Sequence, residues 1–209
     1  MFGVLMGGLS SVLSVVAKLI PSIIQIVGAK LETFAKALEG FFKALGLIEA
    51  DEQVEEIGDK ALQAENDDLH PVKIENFDSH EKYLAAIKER MSDPEKSALI
   101  PQDDKLQKGI EILLGLAIEK YGQSMEEFGD VVLSNPEPYS NPQRMTALGD
   151  LASKDKDKFD EVVGYLNDKI KDSERSDSAF NTLVNIEKTI SPETSEPEIW
   201  KTVSDMKHQ

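Results

Sequence analysis

Side chains able to do chemistry are sparse in this 209-residue sequence, and their spacing limits what they can do. Cysteine is absent, which removes disulfides, thiolate nucleophiles and cysteine metal sites. The histidines, His70, His80 and His208, show no metal-ligand spacing and no H-E-x-x-H pattern, so each reads as a surface residue. Asp155, Asp157 and Asp160 bear a faint likeness to a calcium loop. Phe159 stands at a ligand position and the glycine of the sharp turn is missing, so the better reading is a solvated helix start. The acidic run Glu49, Asp51, Glu52, Glu55 and Glu56 reads in the same way as a wet helix face.

Gly7-Gly8 and the isolated glycines match neither a dinucleotide fingerprint nor a P-loop, and no serine sits in a G-x-S-x-G elbow. With 39 acidic residues, a helical fold brings some carboxylates together by chance, so paired carboxylates carry no signal. The expectation is a non-enzymatic protein with no catalytic residue, no metal and no cofactor.

Charge is unevenly distributed. The formal net charge is -16, yet residues 1–48 carry Lys18, Lys30, Lys36 and Lys43 against Glu32 and Glu39, a net of +2, leaving -18 on residues 49–209. A body that acidic repels phosphate backbones, so no nucleic-acid partner is expected. The slightly basic N-terminal segment suits anionic lipid or an acidic protein neighbour.

The elements that must position any site are all helical, with no convincing period-two strand. An acidic helix is expected over 49–66, with Val54, Ile57, Ala61 and Leu62 on one face, followed by a connector at 67–76. Asp78-Ser-His-Glu81 reads as a capping box launching a helix through Tyr83, Leu84, Ile87 and Met91. A short turn from Asp93-Pro94 closes at Pro101, and a longer helix spans about 104–121 with Gly122 as its C-cap. Ser124–Glu127 is a second capping box, and the proline-rich stretch 134–142 is a loop whose Asn141 caps the next helix. Helices over about 156–171 and from about Asp177 follow, and Ser195-Glu-Pro-Glu198 opens the last. The fold expected is all-α, an apolar N-terminal helix or helical hairpin followed by an irregular bundle of short helices. Its divisions are 1–48, an acidic helix and connector at 49–76, and an acidic bundle at 77–209.

The first 48 residues hold the most pronounced pattern. Alternating steps of four and three, with one extra step of four, land on Leu9, Leu13, Val16, Ile20, Ile23, Val27, Leu31, Phe34, Leu38, Phe41, Leu45 and Ile48. All are apolar, as in a helix that packs lengthwise on a partner. To about Val27 apolar residues lie on nearly all sides, whereas 28–48 is amphipathic. Pro21 either starts a second helix or kinks a continuous one. Gly3, Gly7 and Ser11 are spaced for close helix approach. No Lys or Arg precedes residue 18, so no cleaved signal peptide is expected.

The leading expectation is an interaction protein whose seam docks into a protein partner, a multi-protein assembly or a second copy. An apolar helical head on an acidic body is similar in general style to accessory components or cargo of secretion, injection and virion machines. The alternative is an exported protein whose segment contacts or inserts into membrane as an anchor or pore-former. A third reading is a compact cytoplasmic bundle in which the same segment is the buried core helix.

Overall fold

The computed structural model describes residues 6–207, with side chains from Ser10 onward, and no strand occurs among them. In chain order the helices are α1 (Met6–Gln25), α2 (Gly28–Ala44), α3 (Val54–Glu65), α4 (His80–Lys88), α5 (Pro94–Leu99) and α6 (Gln102–Tyr121). They continue with α7 (Gln123–Ser134), α8 (Pro142–Lys154), α9 (Lys156–Leu166), α10 (Ser173–Ile190) and α11 (Glu196–Asp205), with 3-10 turns at Ile74–Asn76 and Pro138–Ser140. One continuous apolar core draws on residues from Val16 to Met206.

Two close helix pairs organise that core. In the first, α2 packs along α8. A methyl group at Gly40 would lie 2.6 Å from Thr146 Oγ1, and one at Gly149 would lie 2.7 Å from the Phe41 carbonyl oxygen. In the second, α3 packs along α6, where a methyl at Gly58 would meet the Lys105 carbonyl oxygen at 1.8 Å and one at Gly109 the Val54 carbonyl oxygen at 2.0 Å. At Gly149, Gly58 and Gly109 the space of a side chain is taken by the neighbouring backbone, and at Gly40 by the Thr146 hydroxyl, so glycine at these positions sets how near the helices come. Helix α6 joins the two pairs by touching α2 as well as α3. Phe41, Phe128, Tyr139 and Phe159 form the aromatic centre, Phe128 standing 5.2 Å from Phe41 and 5.4 Å from Phe159 between ring centroids. Buried Tyr139 satisfies its hydroxyl by donating to the Met206 carbonyl at 2.7 Å, which ties the C-terminal helix to this centre.

The N-terminal segment is two helices that diverge. Helix α1 lies on α6 and α7, whereas α2 lies on α8 and α6. The break falls at Ile26-Val27, where Gly28 adopts a positive φ of 59° and donates its N–H to Asp103 Oδ2 at 3.0 Å. Pro21 sits inside α1. Both Pro21 and Ala17, whose carbonyl loses its helical partner there, are exposed, so water can satisfy that carbonyl.

Caps agree with the sequence at several junctions and move at others. Asn141 accepts from the Arg144 N–H at 3.0 Å, and Glu198 accepts from the Ser195 N–H at 3.2 Å. Gly122, with φ of 79°, ends α6 and immediately starts α7, so the Ser124 capping box does not form. Ser79 replaces Asp78 as the cap of α4 because its backbone is extended and its hydroxyl accepts from the Lys82 N–H at 3.2 Å, while Asp78 pairs with the Lys82 ammonium. Helix α9 stops at Leu166 because Asp168 turns left-handed, with φ of 53°. The next helix starts earlier than expected because Asp172 accepts from the Arg175 N–H at 2.9 Å.

Candidate interaction surface and internal polar sites

Most of the predicted seam is core. Val16, Ile23, Leu31, Phe34, Leu38, Phe41, Leu45 and Ile48 are buried against the chain's own helices. Leu13 and Ile20 are half-buried, Val27 is 56% exposed, and the Leu9 side chain lies outside the described residues, as does Gly3. In α1 the covered line is Val16, Leu19, Ile23 and Ile26. One residue is 100° of helical turn, so the choice of Leu19 and Ile26 over Ile20 and Val27 rotates the buried face away from the predicted one. The predicted stepping holds throughout α2 because that helix is amphipathic. It drifts in α1, where apolar residues on nearly all sides leave the choice of face to tertiary packing.

Outward, α1 presents Ser10, Ser14, Ala17, Pro21 and Ile24, a four-three line of exposed residues, with Lys18 the single charge in the helix. Ile24 is 53% exposed and Val27 follows it just beyond the helix end. A partly apolar strip about 21 Å long, the rise from Ser10 to Ile24 at about 1.5 Å per residue, with Lys18 at its side, thus lies on a strongly acidic molecule.

A buried polar cluster joins α3, α5 and α6. Asp59 is 7% exposed and its Oδ2 accepts from Ser92 Oγ at 2.9 Å and Gln63 Nε2 at 3.0 Å. Its Oδ1 lies 3.3 Å from Lys105 Nζ, which donates to Ser97 Oγ at 2.8 Å. Burial works against the Asp59 charge, but hydrogen bonds from Ser92, Gln63, Ser97 and Lys105 outweigh it and hold the carboxyl below its usual range. A cleft of about 410 Å³ adjoins the cluster, with Glu55, Glu56 and Lys60 on its rim. A serine beside a lysine invites comparison with a nucleophile and its base. Here Lys105 Nζ lies against Asp59 and donates to Ser97 Oγ, which ties α3 and α5 to α6.

A second cluster joins Tyr83, Glu65, Lys108 and Glu111. Tyr83 donates to Glu65 Oε1 at 2.6 Å, and Lys108 Nζ lies 2.9 Å from Glu65 and 3.5 Å from Glu111. Burial raises the Glu111 carboxyl above its usual range, opposed by Lys108 and reinforced by the charges of Glu65 and Glu75. Burial raises the Tyr83 phenol, and its bond to Glu65 raises it further. A third pair, Arg144 and Glu187, links α8 to α10 and is buried on both sides.

The remaining predicted chemistry resolves into local pairs. Asp155 caps α9 by accepting from the Lys158 N–H at 3.2 Å, and Asp160 takes Lys156 at 2.7 Å, so the two do not converge on a cation. Glu52 is more than a wet residue, because it accepts from Lys88 at 2.7 Å and pins the end of α4. His80 is not on the surface as expected: it is 1% exposed, its ring turned inward by the first turn of α4. Among the described residues no group of three or more acidic or histidine side chains is placed to hold a metal ion.

Asp59, Lys105 and His80 were not legible as buried groups, because what covers them lies far away in sequence: Asp59 meets Ser92 and Lys105, Gly58 meets the Lys105 carbonyl, and Gly115 meets the His80 ring. No protein family matches the chain, and neither the curated proteins nor the solved structures include a significant match.

Proposed function

We propose that this chain is a non-enzymatic interaction protein, an acidic helical body that offers the outer strip of its apolar N-terminal helix to a protein partner or a second copy. The observation that carries the reading is the lone charge of α1 beside exposed Ile24 and Val27, on a molecule of net charge -16. A surface without charge on an otherwise self-repelling body is where close association costs least. The small residues Ser14 and Ala17 let another helix approach closely. The strip is too narrow to reach a standard interface of about 1,600 Å² alone, so a stable assembly would recruit flanking surface.

Burial of the α2 half supports the reading in which residues 28–48 are core, with the docking role confined to α1 and the turn after it. No helix among the described residues is long and apolar enough to cross a membrane, and contact with a lipid surface is an outcome of the test. Size-exclusion chromatography with light scattering on the full chain, with and without anionic liposomes, is compared with a variant carrying Ile24→Asp and Val27→Asp. Assembly lost in the variant, with circular dichroism unchanged, supports the proposal. A monomer that ignores liposomes overturns it in favour of a bundle whose N-terminal segment is core alone. Liposome binding lost in the variant redirects it to a membrane surface.

A further inference from the structure

We infer that α4 is an acid-released clasp, in which protonation of the buried His80 imidazole frees the start of α4 from α6 and exposes the apolar face beneath it. The geometry begins with Gly115 of α6, where a methyl group would lie 2.2 Å from His80 Nε2, so the ring rests directly on the α6 backbone. His80 Nδ1 is buried without a hydrogen-bond partner. The nearest charge, Glu119 Oε2, stands 3.5 Å from Nδ1 and already accepts the His80 backbone N–H at 2.8 Å. A neutral ring tolerates this arrangement. An imidazolium adds a second N–H and a charge to this buried site, where the only carboxylate within 4 Å among the described residues, Glu119, stands beyond hydrogen-bond length and is shared with the backbone N–H.

Charged groups beside α4 are its own Glu81, Lys82 and Lys88, then Glu119 and Lys120 of α6, which line the same cleft, and further Lys108 and Glu111 of α6 and Glu65 of α3. The last three form the network around Tyr83, and Glu119 alone among them comes within 4 Å of the imidazole. Beyond His80, the nine-residue α4 is held by buried Tyr83, Leu84 and Ile87, by the Tyr83 hydroxyl donating to Glu65, by the Phe77 ring against Tyr83 and by the Lys88–Glu52 pair at its end. A single helix of nine residues is of the size that opens as a local unit.

Burial lowers the folded imidazole from 6.5 to about 4. Because the folded value is the lower one, the stabilising contribution is complete above about pH 6.5 and is lost as pH falls toward 4. The opening equilibrium of α4 should therefore rise about tenfold at pH 5.5 and about 70-fold at pH 4.5 relative to pH 7.5.

The test is amide hydrogen exchange of residues 83–88 at pH 7.5, 5.5 and 4.5, corrected for intrinsic exchange, on the full chain and on His80→Gln. Protection of α4 should fall by those factors relative to α2 and α8, and in His80→Gln it should not change with pH. A fall shared equally by α2 and α8, or one retained in His80→Gln, overturns the clasp. Titration of the His80 ring proton by NMR decides independently of whether the variant folds. A midpoint below about 5 supports the clasp and one at 6 or above refutes it.

Discussion

Breaking the Arg144–Glu187 pair from one side should be the costliest polar change in the molecule. The two side chains meet edge to edge, Arg144 Nη2 donating to Glu187 Oε2 at 2.7 Å and Nε to Oε1, while Nη1 donates to the Pro138 carbonyl. Their side chains are 10% and 6% exposed, so removing one leaves the other buried without its counter-charge, Arg144 keeping only its bond to the Pro138 carbonyl. That situation costs about 3–5 kcal/mol, against a total stability of about 5–15 kcal/mol for a typical domain. Replacing both by apolar residues of similar volume removes the orphan and is close to neutral. Arg144→Met and Glu187→Leu should each lower stability by about 3 kcal/mol or more, and the double variant by clearly less than the sum, a coupling of about 2 kcal/mol or more. Urea unfolding followed by circular dichroism at pH 7 measures all four corners of the cycle. Because the pair is buried, raising the salt concentration should barely change the coupling. Single variants costing under about 1 kcal/mol, or strictly additive effects, would refute the view that this pair is desolvated and holds α8 to α10.

Other expectations use the same unfolding measurement. Gly109→Ala places a methyl 2.0 Å from the Val54 carbonyl oxygen, where backbone must move, so a loss above the usual overpacking cost of about 1–3 kcal/mol is expected. Phe34→Ala empties a fully buried site in α2 and should cost about 3–5 kcal/mol, whereas Ile24→Asp, on the outer strip of α1, should leave the melting temperature nearly unchanged. Burial raises the folded Glu111 carboxyl, so its contribution is least favourable once pH exceeds the folded value. Glu111→Gln should therefore raise stability at pH 7, with the gain vanishing as pH falls below the ordinary carboxylate range. A chain starting near Asp51 lacks Leu31, Phe34, Leu38, Phe41 and Leu45, all buried, and should not fold, which thermal melting would show at once.

Helix-forming stretches and several of their ends could be read from residue order because caps are local. Asn141 and the Ser195–Glu198 box satisfy backbone groups within three residues of themselves. The start of α4 was a local competition between adjacent candidates. Ser79 and Asp78 are both good caps, and the choice followed Asp78's ion pair with Lys82. In α2 the amphipathic pattern specified its buried face outright, Leu31, Phe34, Leu38 and Phe41 included.

Apolar periodicity says which residues must leave water, and it determined an all-helical chain and the apolar face of α2. It carries no label for the surface that receives them, so the same stripe served equally for a partner, a bilayer or the chain's own α6 and α8. That choice, the face α1 turns inward, and the burial of Asp59, Lys105, Arg144 and His80 arise from contacts such as Gly115 with His80 and Gly109 with Val54. Such contacts join residues far apart in sequence, and their energies exist only once the helices have been brought together.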